Sequence, residues 1–260
     1  MEYALEEFIK KIKSTINRVE QGSVALFNFL DESEAYFLKE EVKKNKNIFL
    51  YEDGKIINSS RKRFILSSFE KKDLDFNIIL YKIKYNPKFY EINHRNILGS
   101  LMSLGIKREC VGDIVLYNKD YYFTVTREIN PYIIDNYHHI GKTPIELEEV
   151  DYDVTYIRKL EEKNDFVSSF RLDVIISAGF NVSRRNAQDY ISKGLVFLNY
   201  IPCLNSSKII NIDDIITVRH KGKIVLLEIK GLSKSGKHFI KIGRYVWELV
   251  LLVQWMKKYH

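Results

Sequence analysis

The sequence predicts an α+β protein of three successive units: an N-terminal α/β unit over 1–74, a central βαββαβ unit over 75–160, and a C-terminal module of two helices on a small sheet over 166–244, with a tail at 245–260. Three observations predict it. Apolar residues recur at helical spacing at the start of the chain. Extended and helical patterns then alternate over 76–151. Almost all of the net positive charge lies in the last module. Residues 166–244 hold 13 Lys and Arg against 5 Asp and Glu, a balance of +8, whereas 1–165 hold 26 against 28 and the tail adds +1 to reach the total of +7.

The first unit opens with Ala4, Phe8, Ile12 and Ile16, one face of a helix of about 3.6 residues per turn. Further on, "NIFLYEDGKIINSSRKRFIL" reads as two extended runs with Asp53 and Gly54 at a hairpin-like turn. Its basic run, Arg61, Lys62 and Arg63, reads either as a phosphate contact or as a solvated strand end.

In the central unit "FNIILYKIKY" is a strand, and Asn93 stands where an N-cap belongs, before a helix with Ile97, Leu98, Leu101 and Met102 inward and Gly105 at its end. Then come "DIVLYN" and "YYFTVTREI" as a hairpin, "NPYIIDNYHHIG" as a second helix and "IELEEVD" as a last strand. This order is that of a split βαβ sandwich of the ferredoxin or RNA-recognition (RRM) type. Tyr117, Tyr121, Tyr122 and Phe123 are of a kind that stacks on bases, but the K/R-G-F/Y signature is missing, so core or edge packing is the expectation.

The basic module begins with an apolar stripe of Leu172, Ile175 and Ile176, a turn at "GF", and Ser183 as N-cap of a second helix with Ala187, Tyr190 and Ile191 inward and Gly194 at its end. Strands follow in "LVFLNY", "DIITVR", "KIVLLEIK" and "HFIKIGRY". Arg184 and Arg185 occupy the first turn of the second helix, where free N–H groups already favour anions, so the sequence predicts a phosphate-binding corner. Gln188, one turn further along, is placed to meet a base or ribose, and Lys193, Lys208, Arg219 and Lys221 extend the surface. Such a patch on a chain otherwise near neutrality suits nucleic acid.

Other chemistries find less support. Cys110 and Cys203 have no CxxC partner and no His at ligand spacing, which speaks against a zinc site or disulfide framework and for reduced thiols. The N-terminus has acidic residues where a secretion signal needs positive charge. The apolar run 246–256 contains Glu248 and Gln254, and at about half the length of a membrane-spanning helix it reads as a packed or interfacial tail. "GLSKSGKH" at 231–238 satisfies a P-loop up to its Lys, but His238 stands where Mg²⁺ needs Ser or Thr and strand-like residues follow. His94, His138 and His139 lack a ligand signature. No cofactor or metal is expected.

"RLD" at 171–173, "SRRNAQ" at 183–188, "ISKGLVFLN" at 191–199 and "DDIITVR" at 213–219 follow the order and spacing of the S4 (αL-type) RNA-binding domain, which the module resembles. The resemblance implies a grip on structured RNA by Arg171, Ser183, Arg184, Arg185, Gln188, Lys193 and Asn199, with one departure, Tyr200, where the family usually has Gly after Asn. "RLD" also occurs in pseudouridine synthases with a catalytic Asp; here Asp173 continues into Val-Ile-Ile within a helix, and a cap or an ion pair with Arg171 is expected. With "HRNILGSLMSLGIKRECVGDI" at 94–114 ahead of the S4 pattern, the chain is similar to the YlmH family of cytosolic bacterial RNA-binding proteins linked with cell-division gene clusters. That resemblance implies a cytoplasmic, non-enzymatic monomer that binds rRNA beside tRNA on a large ribosomal subunit blocked by peptidyl-tRNA, with no small-molecule substrate and no integral membrane association. The rivals are an RNA-modifying enzyme that uses S4 as a substrate clamp and a division factor at the membrane surface.

Overall fold

The opening amphipathic pattern forms helix α1 (Glu2–Glu20), which buries Ile12, Ile16 and Val19. In the computed structural model, residues 2–156 and 160–245 are described, and the chain divides into two units, Met1–Ile157 and Arg158–His260. The apolar run at 246–256 lies outside the described residues.

After α1 come strand β1 (Val24–Leu30), helix α2 (Glu32–Lys43), and strands β2 (Phe49–Asp53), β3 (Ile56–Ile57) and β4 (Lys62–Ser67). Asp31 starts α2 with a capping box: its carboxylate accepts the N–H of Glu34, whose side chain accepts the N–H of Asp31. The sheet order is β1-β4-β2, antiparallel throughout. The hairpin-like turn expected at Asp53–Gly54 is instead the start of a longer connection over 54–61. Lys55 and Asn58 take left-handed conformations there, and β3 leaves β2 and β4 to pair in parallel with strand β11 (Val154–Thr155).

The central elements are strand β5 (Ile78–Lys84), helix α3 (His94–Ser103), strands β6 (Val111–Tyr117) and β7 (Asp120–Thr126), helix α4 (Asn130–Asn136), the short hairpin β8 (His139–Ile140) and β9 (Thr143–Pro144), and strand β10 (Glu146–Glu149). Asn93 caps α3 by accepting the N–H of Asn96 at 3.0 Å. The sheet order β10-β5-β7-β6, with every neighbour antiparallel, is the 4-1-3-2 order of the ferredoxin-type sandwich. Ile97, Leu101, Ile133 and Tyr137 pack on the face formed by Ile79, Ile83, Phe123 and Val125. The opposite face, which RNA-recognition folds leave open for bases, is covered: Leu80, Val115 and Tyr122 lie under Ile56, Val150 and Val154. Tyr122 is 3% exposed and Phe123 wholly buried, so neither is available for stacking.

The basic run at the start of β4 is neither a phosphate contact nor a solvated strand end. Arg63 is 2% exposed and donates to the carbonyls of Phe27 (3.1 Å) and Asn77 (2.9 Å), to Asn28 Oδ1 and to the Glu128 carboxylate (3.3 Å). Arg61 donates to the carbonyls of Phe29 (2.9 Å) and Val111 (3.2 Å). Lys62 alone points outward, to Glu52 at 2.7 Å. A guanidinium with five donors can link several buried acceptors at once, which is how these arginines tie the two sheets of this unit together.

The second unit comprises strand β12 (Leu160–Val167), helices α5 (Leu172–Phe180) and α6 (Arg184–Ser192), and strands β13 (Val196–Leu198), β14 (Ile201–Pro202), β15 (Ile215–Val218), β16 (Gly222–Leu232) and β17 (His238–Tyr245). They form an antiparallel sheet of order β12-β17-β16-β15-β13-β14. Its core joins Leu172, Ile175, Ile176, Ala187 and Ile191 of the helices to Ile216, Ile224, Leu226, Ile240 and Ile242 of one sheet face. The expected turn at Gly179–Phe180 lies one step later: both residues are helical, and Asn181, left-handed at φ 55°, ends α5. Gly179 serves close packing instead, since a Cβ there would sit 2.4 Å from Ile224 Cδ1. The P-loop-like residues 231–238 are the end and tip of the β16–β17 hairpin, and strand β17 stands where a P-loop needs a helix.

Candidate nucleic-acid interface

Two short helices build the basic corner. α6 starts where Ser183 Oγ accepts the N–H of Asn186 at 3.1 Å and ends at Gly194, whose φ of 68° an L side chain rarely adopts. α5 begins against the loop before β15: the N–H of Leu172 donates to the carbonyl of Lys208 at 2.8 Å and that of Asp173 to Ser206 at 3.2 Å, while Arg171 bridges to Ile209.

At the junction lies Asp173, wholly buried. Arg171 donates Nε to Oδ1 at 3.1 Å and a terminal nitrogen to Oδ2 at 3.2 Å; Arg184 Nε and Gln188 Nε2 reach the same Oδ2 at 2.9 and 2.8 Å. Burial alone would raise this carboxyl's pKa, but the hydrogen bonds from Arg171, Gln188 and Arg184 outweigh it and hold the pKa down at about 2. The ion pair with Arg171 was legible in the sequence; the capture of Arg184 and Gln188 was not. Its only signal was an acid and a base held by short spacing within a motif, and the rest depends on how α5 and α6 cross. Asp173 engages Arg184 through Nε, and among the described residues neither terminal nitrogen of that guanidinium has a hydrogen bond, with the side chain 52% exposed. Those two nitrogens are the fork that clamps a phosphate.

The ten residues singled out in the sequence do not all stand together. Arg171, Arg184 and Gln188 gather around Asp173, with Arg185 exposed on the first turn of α6; Lys208 is exposed and meets the start of α5 through its backbone carbonyl. Ser183 and Asn199 spend their side chains internally: the first caps α6, and the second donates to Asp214 Oδ1 at 2.7 Å and accepts the N–H of Ile215 at 2.9 Å. Asn199 and Tyr200 both have positive φ (46° and 67°), so the β13–β14 turn keeps a left-handed pair although Tyr stands in place of Gly. At the other end of α6, Lys193 is exposed and Lys221 lies over the ring of Tyr190 at 5.9 Å; Arg219 lies over Phe197 at 5.1 Å. Among the described residues no cluster of His, Cys, Asp and Glu is fit to hold a metal, and both cysteines are free thiols.

The S4 domain family matches residues 170–216, and the family described as a putative RNA-binding domain in YlmH matches 71–154. The Bacillus subtilis (strain 168) "Ribosome-associated protein quality control protein P2" is 30% identical over 229 residues, 86% of this chain and 89% of that protein. The solved structure of "Cell division protein ylmH from Streptococcus pneumoniae" has 27% identity and a TM-score of 0.48, over 56% of this chain and 90% of that one.

Proposed function

The chain belongs to the YlmH family, and from that premise we propose that it is a cytoplasmic, non-enzymatic factor that binds rRNA, on a large ribosomal subunit carrying peptidyl-tRNA, in ribosome-associated quality control. The observation that carries the reading is the Asp173 junction. A buried carboxylate fixes Arg171 and Arg184 in advance and leaves the terminal nitrogens of Arg184 open, so little side-chain entropy remains to be lost when phosphate binds. Lys208 and Arg185 add unneutralised charge at the same corner, and Lys193 and Lys221 continue it along α6. Affinity then comes from phosphates, and specificity from RNA shape, because side chains do not readily enter the A-form major groove. The quality-control role rests on the name of the B. subtilis relative.

The same junction speaks against the RNA-modifying rival. A pseudouridine-synthase-like Asp must reach the substrate, whereas Asp173 is wholly buried and its carboxylate accepts four hydrogen bonds. Mass spectrometry of rRNA incubated with the protein is expected to find every base unmodified; a modification abolished by Asp173→Ala would overturn the binding-only reading. The broader test is crosslinking in cells followed by sequencing of the bound RNA. Peaks in large-subunit rRNA together with tRNA are expected, and dispersed messenger fragments would sink the proposal.

A further inference from the structure

The sheet of the second unit has a face that α5 and α6 do not cover. Directly opposed residues of antiparallel strands point to the same side. The rows Lys163–Ile242–Leu226 and Asp165–Ile240–Ile229 therefore share the side on which α5 and α6 pack. The alternate row, Phe166–Phe239–Gly231, faces the other way.

On that face the rings of Phe166 and Phe239 stack with centroids 4.8 Å apart and planes 24° from parallel. Lys230, in the register shift between Ile229 and Gly231, holds its Nζ 5.4 Å from the Phe239 centroid. β12 is an edge strand, so the stack ends at Phe166, which is 50% exposed. β15 pairs with β16 only as far as Val225; beyond it β16 and β17 continue as an arm with its tip at 233–237. Lys230, Lys234 and Lys237 are exposed, their ammonium groups have no ion pair among the described residues, and 229–240 contains no Asp or Glu. Lys241, further down the same face, is already neutralised by Glu162 at 2.9 Å.

An aromatic stack that ends in solvent, bordered by uncompensated cations, suits a ligand with flat π faces on an anionic backbone. We infer that this face of the β16–β17 arm is a stacking platform for unpaired RNA nucleotides, separate from the α6 corner, with Phe166 taking a base and Lys230, Lys234 and Lys237 the adjoining phosphates. The inference rests on the RNA-binding reading above and adds a second class of RNA element to it. It also gives the P-loop-like lysines a role that needs no P-loop.

The test titrates full-length protein with a short labelled oligouridylate and, separately, with a labelled base-paired RNA hairpin, with thermal unfolding of each variant as the folding control. Phe166→Ala is expected to weaken oligouridylate binding roughly 5- to 150-fold, the range for one base–aromatic stack, while Phe166→Trp keeps it. Lys234→Ala with Lys237→Ala, at the exposed tip, should flatten the slope of log K against log salt by about 1.4. Unchanged oligouridylate binding in both arm variants overturns the platform. So does a loss of binding to phosphatidylglycerol vesicles with RNA binding intact, which would assign the arm to a membrane surface. If instead Arg184→Ala with Arg185→Ala leaves hairpin binding unchanged while Phe166→Ala abolishes oligouridylate binding, the α6 corner fails and the platform stands.

Discussion

Two runs of adjacent basic residues look alike in this chain, and the fold puts them to opposite uses. Arg61, Lys62 and Arg63 enter β4, where both arginines are drawn inward to backbone carbonyls and Arg63 also to Glu128. Ser183, Arg184 and Arg185 enter α6, where Arg184 is tethered by one nitrogen and Arg185 is exposed. The difference lies in the number of acceptors each run meets. A strand between two others, close to a second sheet, offers carbonyls from both sides. A helix start on the surface offers donors of its own and one buried carboxylate, so the remaining charge has only solvent or an anion to face. Adjacent positive charges thus mark a ligand site only where the fold leaves their donors unspent.

The largest effect expected from this contrast is on RNA binding. Arg184→Ala with Arg185→Ala removes two charge-assisted bonds to phosphate, which should cost about 3 to 6 kcal/mol of binding at low salt and flatten the salt dependence of log K by about 1.4 to 1.8. Lys10→Ala with Lys11→Ala removes equal charge from α1 and is the control. Equal losses in the two double variants would mean that net charge, not the helix corner, holds the RNA.

Arg63→Ala should do the reverse. It takes the Arg63 donors from the carbonyls of Phe27 and Asn77, of which the second keeps the N–H of Arg127, and removes the partner of Glu128; it should destabilise the first unit by about 3 kcal/mol in urea unfolding, with RNA affinity of the folded protein unchanged. Arg63→Lys should not restore stability, because one ammonium cannot span the same acceptors. A loss of RNA affinity without a loss of stability would break the comparison at this end.

A smaller effect concerns acid. Asp173 titrates at about 2 in the folded chain and at about 3.9 when unfolded. The stabilisation is therefore present above about pH 4 and is lost as pH falls toward about 2, by on the order of 2 kcal/mol. Asp173→Asn should remove this part of the acid sensitivity, read as a shallower fall in urea midpoint over that window; an unchanged fall would show that other carboxyls govern it.

The smallest effect is expected from the middle of the first run. Lys62→Ala breaks a partly exposed pair with Glu52, whose pKa burial would raise but which Lys39 and Lys62 hold below its usual value. A change within about 1 kcal/mol is expected, since Lys39 still serves the same carboxylate. A loss as large as that of Arg63→Ala would show that burial of the run, not its acceptors, sets the difference.

What the sequence made legible was local. The βαββαβ element order followed from alternating patterns, and the starts of α3 and α6 from Asn93 and Ser183, because caps and periodicity act over a few residues. What stayed hidden depends on distant partners. Arg63 is decided by Phe27, Asn77 and Glu128, Asn199 by Asp214, and Gly179 by Ile224 across the core. β12, read as "LEEKNDFV", has no apolar alternation to announce it and is a strand because β17 offers an edge. In the corner, residue types were legible but not their duties: Gln188 reads as a free amide until Asp173 is seen to hold it.

The parallel pairing of β3 with β11 imposes an order on synthesis. Ile56 waits for Val154, so Leu80, Val115 and Tyr122 have no cover from β11 until nearly the whole first unit has been made. The nascent chain must carry that apolar face for the time needed to add the intervening residues, and a pairing so distant in sequence is intrinsically slow to close. A chain cut short just before β11 would keep the face bare, and its fate would be aggregation or chaperone capture. The last strand of the unit thus acts as its completion signal.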